Sequence, residues 1–186
     1  ILAMREILHH IPALAQAQSL IAQGAIGEVL FAHGWFLADY ALDPTVPMSW
    51  RFSKDTSGGG ALLDMGTHVI DALGFLVGPV EEVPSAQLTT TITERPLPDG
   101  SGVSVVDNDD TVIATLMHRG GAQSNLLVSR IAVGKPCEIG VTVYGTRGYV
   151  TFDFSRLGEL EVFEQGTSAP GLDGPRRVIA GPSFPI

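Results

Sequence analysis

The chain has 186 residues, 45% hydrophobic and 17% charged, a composition typical of a globular domain with abundant apolar surface. Its formal net charge of −9 and pI near 4.8 argue against a nucleic-acid partner. A single cysteine, Cys137, excludes an internal disulfide framework and a multi-cysteine metal site, and its alternating apolar surroundings predict buried filler.

The first predicted elements are a helix, a strand and a loop. The helix covers 12–24, because Pro12 suits its first turn and Gly24 suits its C-terminal end. An apolar run predicts a strand over 27–36. The segment 42–56 contains two prolines and is predicted to be a loop that leads into a glycine-rich helix start.

A second predicted helix over 60–76 carries the chain's main candidate site. At about 100° per residue, Asp64, Thr67, His68 and Asp71 fall within one narrow stripe, while apolar residues cover the rest of the circumference. A carboxylate one turn from an imidazole can orient the ring and stabilise its charged form, which suits proton transfer. We therefore predict that the function lies on this helix.

The alternative interpretation of this stripe is an ordinary solvated helix face. Such faces usually carry long-chain helix formers such as Lys, Glu, Arg and Gln, and the stripe has none. Gly66 in the middle of the helix costs about 1 kcal/mol relative to alanine, which indicates close approach by another group. Both details favour the functional interpretation over the solvated one.

In the second half of the chain the apolar period changes to two, which predicts a sheet. Both faces of 112–117 are apolar, so this sheet needs cover on both sides, from helices on one and a second subunit on the other. Glycine-rich segments at 119–121 and 145–148 predict hairpin turns, whereas 97–106 and 166–175 predict loops. The predicted strands cover 88–93, 111–118, 124–131, 139–144, 149–154 and 159–164.

Helices followed by strands predict an α+β fold with a mostly antiparallel sheet, formed by 1–186 as one domain. The apolar content exceeds what an isolated monomer usually needs, so we expect oligomerisation or a missing partner domain. The longest apolar stretches are too short to span a membrane and no signal peptide is recognisable, so we expect a cytoplasmic protein with no membrane partner. Because the chain begins with Ile1 rather than Met, we expect its natural N-terminus to lie further upstream.

Two short motifs next to the helix start leave alternatives open. Gly58–Gly60 is reminiscent of the dinucleotide fingerprint GxGxxG, but the third glycine is missing and 51–57 makes a poor preceding strand. The chain therefore has no recognisable nucleotide-binding unit. Trp50 and Arg51 directly precede the helix, where they either position an oxygen-rich substrate or form a plain packing pair.

The run 50–71, with three consecutive glycines followed by Asp64, Gly66, His68 and Asp71, resembles the C-terminal domain of the Gfo/Idh/MocA oxidoreductases. This family comprises the glucose–fructose oxidoreductase and inositol dehydrogenase relatives. Three further stretches agree in order, at 24–29, at 107–110 with 128–130, and at 144–150, so the resemblance spans roughly 12–163.

The resemblance implies an NAD(P)-dependent dehydrogenase for sugars, inositols or similar polyols, with a large open sheet whose free face builds homodimers or homotetramers. It also implies a preceding Rossmann domain that holds NAD or NADP, and this chain lacks both that domain and the lysine that it contributes to catalysis. By the same resemblance His68 is the acid/base on the substrate oxygen, Asp64 its supporting carboxylate, and Asp71 structural. We expect further substrate contacts from Trp50, Arg51 and Thr67.

Two functional classes follow from these observations. In the first, the chain is the substrate and oligomerisation domain of a two-domain dehydrogenase, without dehydrogenase activity alone because the cofactor accepts the hydride. In the second, it is a stand-alone binding or assembly module that has lost catalysis. A metal-assisted hydrolase built on Asp64 and His68 is less favoured, because the sequence offers no clear third or fourth ligand.

Overall fold

A computed structural model describes residues 8–167 and 174–181, which confirm the predicted α+β class. Three helices and ten strands alternate with short 3₁₀ turns at Leu8–His10, Trp50–Phe52 and Phe154–Arg156 and with a π-turn at Leu62–Gly66. In chain order these elements are α1 (Pro12–Ala22), β1 (Val29–Leu37), α2 (Lys54–Ser57), α3 (Thr67–Val77), β2 (Val80–Thr89), β3 (Glu94–Pro96), β4 (Val103–Val105), β5 (Thr111–His118), β6 (Gln123–Ser129), β7 (Glu138–Gly145), β8 (Gly148–Asp153), β9 (Glu159–Glu164) and β10 (Arg176–Ile179).

Eight of the strands form one mixed sheet in the order β10-β9-β8-β7-β1-β6-β5-β2. The first strand in sequence, β1, lies near the centre, where it pairs antiparallel with β7 and parallel with β6. All the other neighbours in this sheet are antiparallel, and the predicted hairpin turns at 119–121 and 145–148 join β5 to β6 and β7 to β8. The short strands β3 and β4 form a separate hairpin.

The sheet carries helices on one face, where the main hydrophobic core lies. Helix α3 packs closely on β1, because Gly34 leaves no side chain between the two elements. A Cβ atom built at Gly34 would lie 2.4 Å from Cγ1 of Val69 and 3.2 Å from Cδ1 of Leu73, both fully buried. The glycine therefore fixes the height of α3 above the centre of the sheet.

One helical stretch, Lys54–Val77, has the length and apolar composition that a membrane span needs. Within it, Val69, Ala72 and Leu73 are buried in the main core. Helix α3, which forms the end of this stretch, packs on β1, β7 and α1. The stretch is therefore apolar because it contributes to the core of the domain. The absence of a membrane partner stays a prediction.

The predicted strand at 88–93 is misplaced. The structure begins β2 at Val80, directly after α3, and ends it at Thr89. Nearly all of its side chains are exposed, and its pairing with β5 shifts register twice, so no alternation of apolar and polar residues marks it. Pro84 within the strand further weakens the signal, since edge strands alone tolerate proline.

Two further predictions from the sequence need correction. Cys137 is exposed rather than buried, because it lies in the turn before β7 and not within the strand. The predicted loop at 97–106 contains β4, which pairs with β3. The second predicted loop, at 166–175, lies largely outside the described residues.

Substitution at Gly34 tests the packing of α3 on the sheet. We expect Gly34→Ala to destabilise the fold by about 1–3 kcal/mol, because its Cβ atom overlaps the stiff, buried Val69 side chain. Gly74→Ala on α3 is the matched control: a Cβ atom there meets nothing within 4 Å, so we expect a gain of roughly 0.5–1 kcal/mol from helix propensity. Urea denaturation followed by circular dichroism measures both, and equal stabilities would contradict the packing described here.

Candidate active site

A cavity of about 550 Å³ opens at the N-terminal end of α3, a volume typical of small-molecule sites. The structure brings all the predicted site residues to its lining, together with others that the sequence did not single out, among them Arg130. The predicted residues in the lining are Trp50, Arg51, Asp64, Thr67 and His68. Their predicted catalytic and binding roles stay predictions.

The helix start beneath this cavity is held by Asp109. Its carboxylate accepts the backbone N–H groups of Gly60 at 3.0 Å and Leu62 at 2.7 Å, and its carbonyl accepts that of Ala61 at 2.9 Å. These bonds satisfy donors that a helix N-terminus otherwise leaves unpaired. Gly60 is required here, because a Cβ atom would lie 2.1 Å from the Asp109 carbonyl oxygen.

The helix does not run uninterrupted through the site as predicted. Leu62–Gly66 forms a π-turn, in which the N–H of Thr67 donates to the carbonyl of Leu62 five residues back, and the regular α-helix begins only at Thr67. Such single π-turns are frequent at functional sites. The wider turn changes the angular spacing between Asp64 and His68 from that of an ideal α-helix.

Asp64 is about half exposed and is held by two donors other than His68. Its Oδ2 accepts the phenol of Tyr40 at 3.1 Å and lies 3.4 Å from Nη1 of Arg51. Among the described residues no hydrogen bond joins Asp64 to His68, so the direct contact that would orient the imidazole is not made in this structure. The support that we expected Asp64 to give therefore has to be electrostatic or to act through a ligand.

His68 and Thr67 occupy the first turn of α3. The imidazole is partly buried, and the centroid of its ring lies 6.3 Å from that of Phe36 on the sheet. Neither ring nitrogen has a hydrogen-bond partner among the described residues. The hydroxyl of Thr67 donates to the carbonyl of Leu63 at 3.1 Å, so toward a ligand it can act only as an acceptor.

The 3₁₀ turn at Trp50–Phe52 forms the opposite wall. The guanidinium of Arg51 lies 4.5 Å from the centroid of the Trp50 ring, a cation–π contact that covers one face of the indole. Trp50 is nevertheless 58% exposed, far more than a packing residue requires. The two side chains thus contact each other and leave the indole open to the cavity, and the substrate-positioning role stays a prediction.

Asp71 lies outside this cavity, further along α3. Its Oδ2 is 2.9 Å from Nε2 of His9, although neither atom has an aligned hydrogen-bond partner among the described residues. The imidazole of His9 also stacks on Phe75, with ring centroids 4.1 Å apart. Asp71 therefore links the start of the chain to α3, consistent with a structural residue.

Sequence reasoning missed the buried pair that supports the site, Arg130 with Asp110. Nε of Arg130 donates to Oδ1 of Asp110 at 2.7 Å, and both side chains are at most 2% exposed. The other guanidinium nitrogens donate to the carbonyl of Arg51 at 3.1 Å and to Oδ1 of Asn108 at 2.8 Å. The signal available in the sequence was the position of Arg130, directly after β6 and its apolar residues. An arginine that is buried at such a position requires a partner for its charge.

Asn108 completes this support. Its side-chain amide donates to the carbonyls of Arg51 and Gly59 and to the hydroxyl of Ser57, over distances of 2.9–3.1 Å. One short segment, 107–110, therefore fixes the cavity wall and the helix start together.

Comparisons with known proteins agree with this architecture. The family model of the GFO/IDH/MocA C-terminal domain matches residues 14–151. Levoglucosan dehydrogenase from Pseudarthrobacter phenanthrenivorans is 38% identical over 186 residues, which cover 94% of this chain and 47% of that protein. The chain therefore spans about half the length of this curated relative.

Solved structures give the same result. Levoglucosan dehydrogenase in complex with NADH and L-sorbose has a TM-score of 0.89 at 39% identity, covering 96% of this chain and 46% of that one. An inositol dehydrogenase homolog from Azotobacter vinelandii, complexed with NAD⁺, has a TM-score of 0.74 over 90% of this chain and 41% of its own. At 17% identity the second likeness shows the fold alone.

Removing the buried arginine tests the support of the site. We expect Arg130→Met to destabilise the fold by about 3–5 kcal/mol, because the buried carboxylate of Asp110 loses its ion-pair partner. Arg119→Met is the matched control: it breaks the exposed pair with Glu81 and should cost less than about 1 kcal/mol. Urea titrations of both variants give these free energies of unfolding. A loss for Arg130→Met no larger than that of the control would refute the structural role of the pair.

Proposed function

The chain belongs to the Gfo/Idh/MocA oxidoreductase family, and we propose that it is the substrate-binding, catalytic part of an NAD- or NADP-dependent dehydrogenase. Its substrate would be a secondary alcohol of a sugar, inositol or similar polyol. The observation that carries this proposal is the cavity at the start of α3, where an imidazole, a carboxylate and an exposed indole meet. Levoglucosan dehydrogenase, a related protein, has been solved with NADH and a sugar, which supports the same classes of cofactor and substrate here.

The charges of the cavity favour an uncharged substrate. The cation of Arg51 lies against Asp64, and that of Arg130 is paired with Asp110, so neither lining arginine is free to neutralise a phosphate or a sugar acid. The exposed indole of Trp50 offers an apolar surface to the C–H groups of a sugar ring. A neutral polyol matches both features.

Proton transfer is the chemical task that we assign to this chain. His68 would take the proton of the substrate hydroxyl, because imidazole exchanges protons near neutral pH and its ring has no competing partner among the described residues. The carboxylate of Asp64 would accept a hydrogen bond from a substrate hydroxyl, and it lines the same cavity as His68. A bound nicotinamide would accept the hydride.

The residues present fit the substrate side of a nicotinamide site but not its nucleotide side. Gly58–Gly60, the nearest approach to a phosphate loop, packs against Asp109, whose carbonyl oxygen occupies the space beside Gly60. A carboxylate at this point also disfavours a diphosphate. We therefore assign the nucleotide to a preceding Rossmann domain and expect no dehydrogenase activity from this chain alone.

We also propose that the open face of the sheet joins subunits. Side chains on this face of β1 stack with β7, including Phe31 on Tyr144 with ring centroids 4.6 Å apart. Ile113 and Leu127 face each other across β5 and β6 and are 56% and 40% exposed. Trp35 pairs with Leu127 in the same register, and its indole N–H is buried without an acceptor among the described residues. A second copy would cover this apolar surface.

Substitutions that introduce charges on this face test the proposed subunit contact. We expect Ile113→Glu combined with Leu127→Glu to convert an oligomer into monomers, because two carboxylates would be desolvated in the contact. Leu157→Glu is the matched control, since Leu157 is 48% exposed but lies in a turn beyond β8. Sedimentation velocity of the three proteins gives the molecular masses. An unchanged oligomer in the double variant would locate the subunit contact elsewhere.

Activity tests the proposed reaction. The chain, expressed with the coding sequence that precedes it, should reduce NAD⁺ or NADP⁺ with one or more neutral polyols, whereas this chain alone should not. We expect His68→Ala and Asp64→Ala to lower kcat/KM by about 10²-fold or more, the usual size of an acid–base contribution. His10→Ala, at an exposed histidine, is the control. Near-normal turnover in both site variants, or no turnover of any neutral polyol, would overturn the assignment.

A further inference from the structure

We propose that Tyr40 is a positioning residue for Asp64, acting together with Arg51 as a two-donor clamp on one oxygen of that carboxylate. The inference rests on the proposed function, in which Asp64 accepts a substrate hydroxyl beside His68. Tyr40 lies in the loop after β1, and its sequence context carries no signal of such a role. It is the only side chain outside the Trp50–His68 segment that hydrogen-bonds to Asp64 among the described residues.

The geometry of the clamp is asymmetric. Both donors reach the same atom, Oδ2, with the Tyr40 phenol at 3.1 Å and Nη1 of Arg51 at 3.4 Å. No hydrogen bond from the described residues reaches Oδ1. A carboxylate that is nearly half exposed would otherwise rotate freely about its side-chain bonds. The clamp therefore fixes the orientation of Asp64 and leaves one oxygen for a ligand.

The chain segments that carry the two donors are held by Ser129 and the buried Arg130. The loop that carries Tyr40 is anchored on both sides, because Ala38 donates to the Ser129 carbonyl at 2.8 Å and Ala41 donates to the Arg130 carbonyl at 3.0 Å. The backbone of Arg51 is held through its carbonyl, which accepts from the Arg130 guanidinium. A clamp with two anchored ends is a preorganised arrangement and not a chance surface contact.

Tyr40 also remains protonated and can therefore donate over a wide pH range. Partial burial of a side chain that is 42% exposed, and next the negative charge of Asp64 and the hydrogen bond to it, raise the pKa of the Tyr40 phenol to about 12. The phenol therefore keeps its proton at every pH at which the enzyme would work. Nearby Arg51 and Arg130 lower the same pKa, but by less than these causes raise it.

Spectroscopy tests the contact without any need for activity. With only three tyrosines, the chain labelled with ¹³Cζ-tyrosine gives three ring-carbon signals, assigned through Tyr40→Phe and Tyr149→Phe. We expect Asp64→Asn to move the Tyr40 signal, because a charged acceptor is replaced by a neutral one. Glu161→Gln is the matched control, since Tyr149 donates to Glu161 at 2.8 Å, and it should move the Tyr149 signal alone. If the chemical shift of Tyr40 is the same in Asp64→Asn as in the unchanged chain, the proposed clamp is wrong.

Kinetics test whether the clamp serves the reaction, in the longer enzyme once its turnover of a polyol has been demonstrated. We expect Tyr40→Phe to lower kcat about tenfold and to change KM less than about twofold, because Asp64 is still present but no longer held in one orientation. Tyr149→Phe should leave both constants unchanged. An unchanged kcat, or a rise in KM alone, would refute the positioning role while leaving the proposed dehydrogenase function intact.

Discussion

The buried pair of Arg130 and Asp110 is the constraint on which the candidate site depends. Removing both charges from water is costly, and the cost is offset only because almost every polar atom of the pair has a partner. The guanidinium of Arg130 donates to the turn that carries Arg51 and to Asn108, and its backbone carbonyl holds the loop that carries Tyr40, whereas Asp110 also accepts the backbone N–H groups of Thr91 and Ile92. Several of the contacts that stabilise this buried pair therefore also hold the segments around the cavity.

A second constraint acts on the other side of the cavity, through the sheet. Helix α3 is held close to β1 at Gly34, and the helical turn that precedes it is tied at Gly60 and Leu62 to Asp109, which directly precedes the buried Asp110. Asp64 in the π-turn and His68 in α3 are placed by these two contacts, which limits their movement relative to each other. On the opposite wall, Arg51 is held through its carbonyl by Arg130, and the loop that carries Tyr40 is held by backbone hydrogen bonds of Ala38 and Ala41. The site therefore joins a helical wall to a wall built from loops.

The helical wall of the cavity could be predicted from the sequence, whereas most contacts of the loop wall could not. Helical spacing is a local property, so the grouping of Asp64, Thr67 and His68 on one helix was accessible from the order of residues alone. The π-turn carries no such local signal, and the backbone groups at its start donate to Asp109, which lies more than forty residues away in the chain. The same holds for Tyr40 and Arg130, whose contacts join segments far apart in the chain, and for β2, whose exposed edge carries no apolar alternation.

The site is open to solvent on the side that residues 8–167 and 174–181 leave uncovered, which agrees with our proposal of a preceding domain. Asp64 and Trp50 are each about half in contact with solvent, whereas proton and hydride transfer are favoured where water is excluded. The attraction between a carboxylate and an imidazolium is several times weaker in water than in a partly dry site. Asp64 would therefore support His68 only weakly while the cavity is open to solvent. Closure by a preceding domain would strengthen that attraction at the moment when the substrate is bound. The open cavity thus adds a second reason, beside the nucleotide site that we assign to a preceding domain, for the proposed lack of activity in the isolated chain.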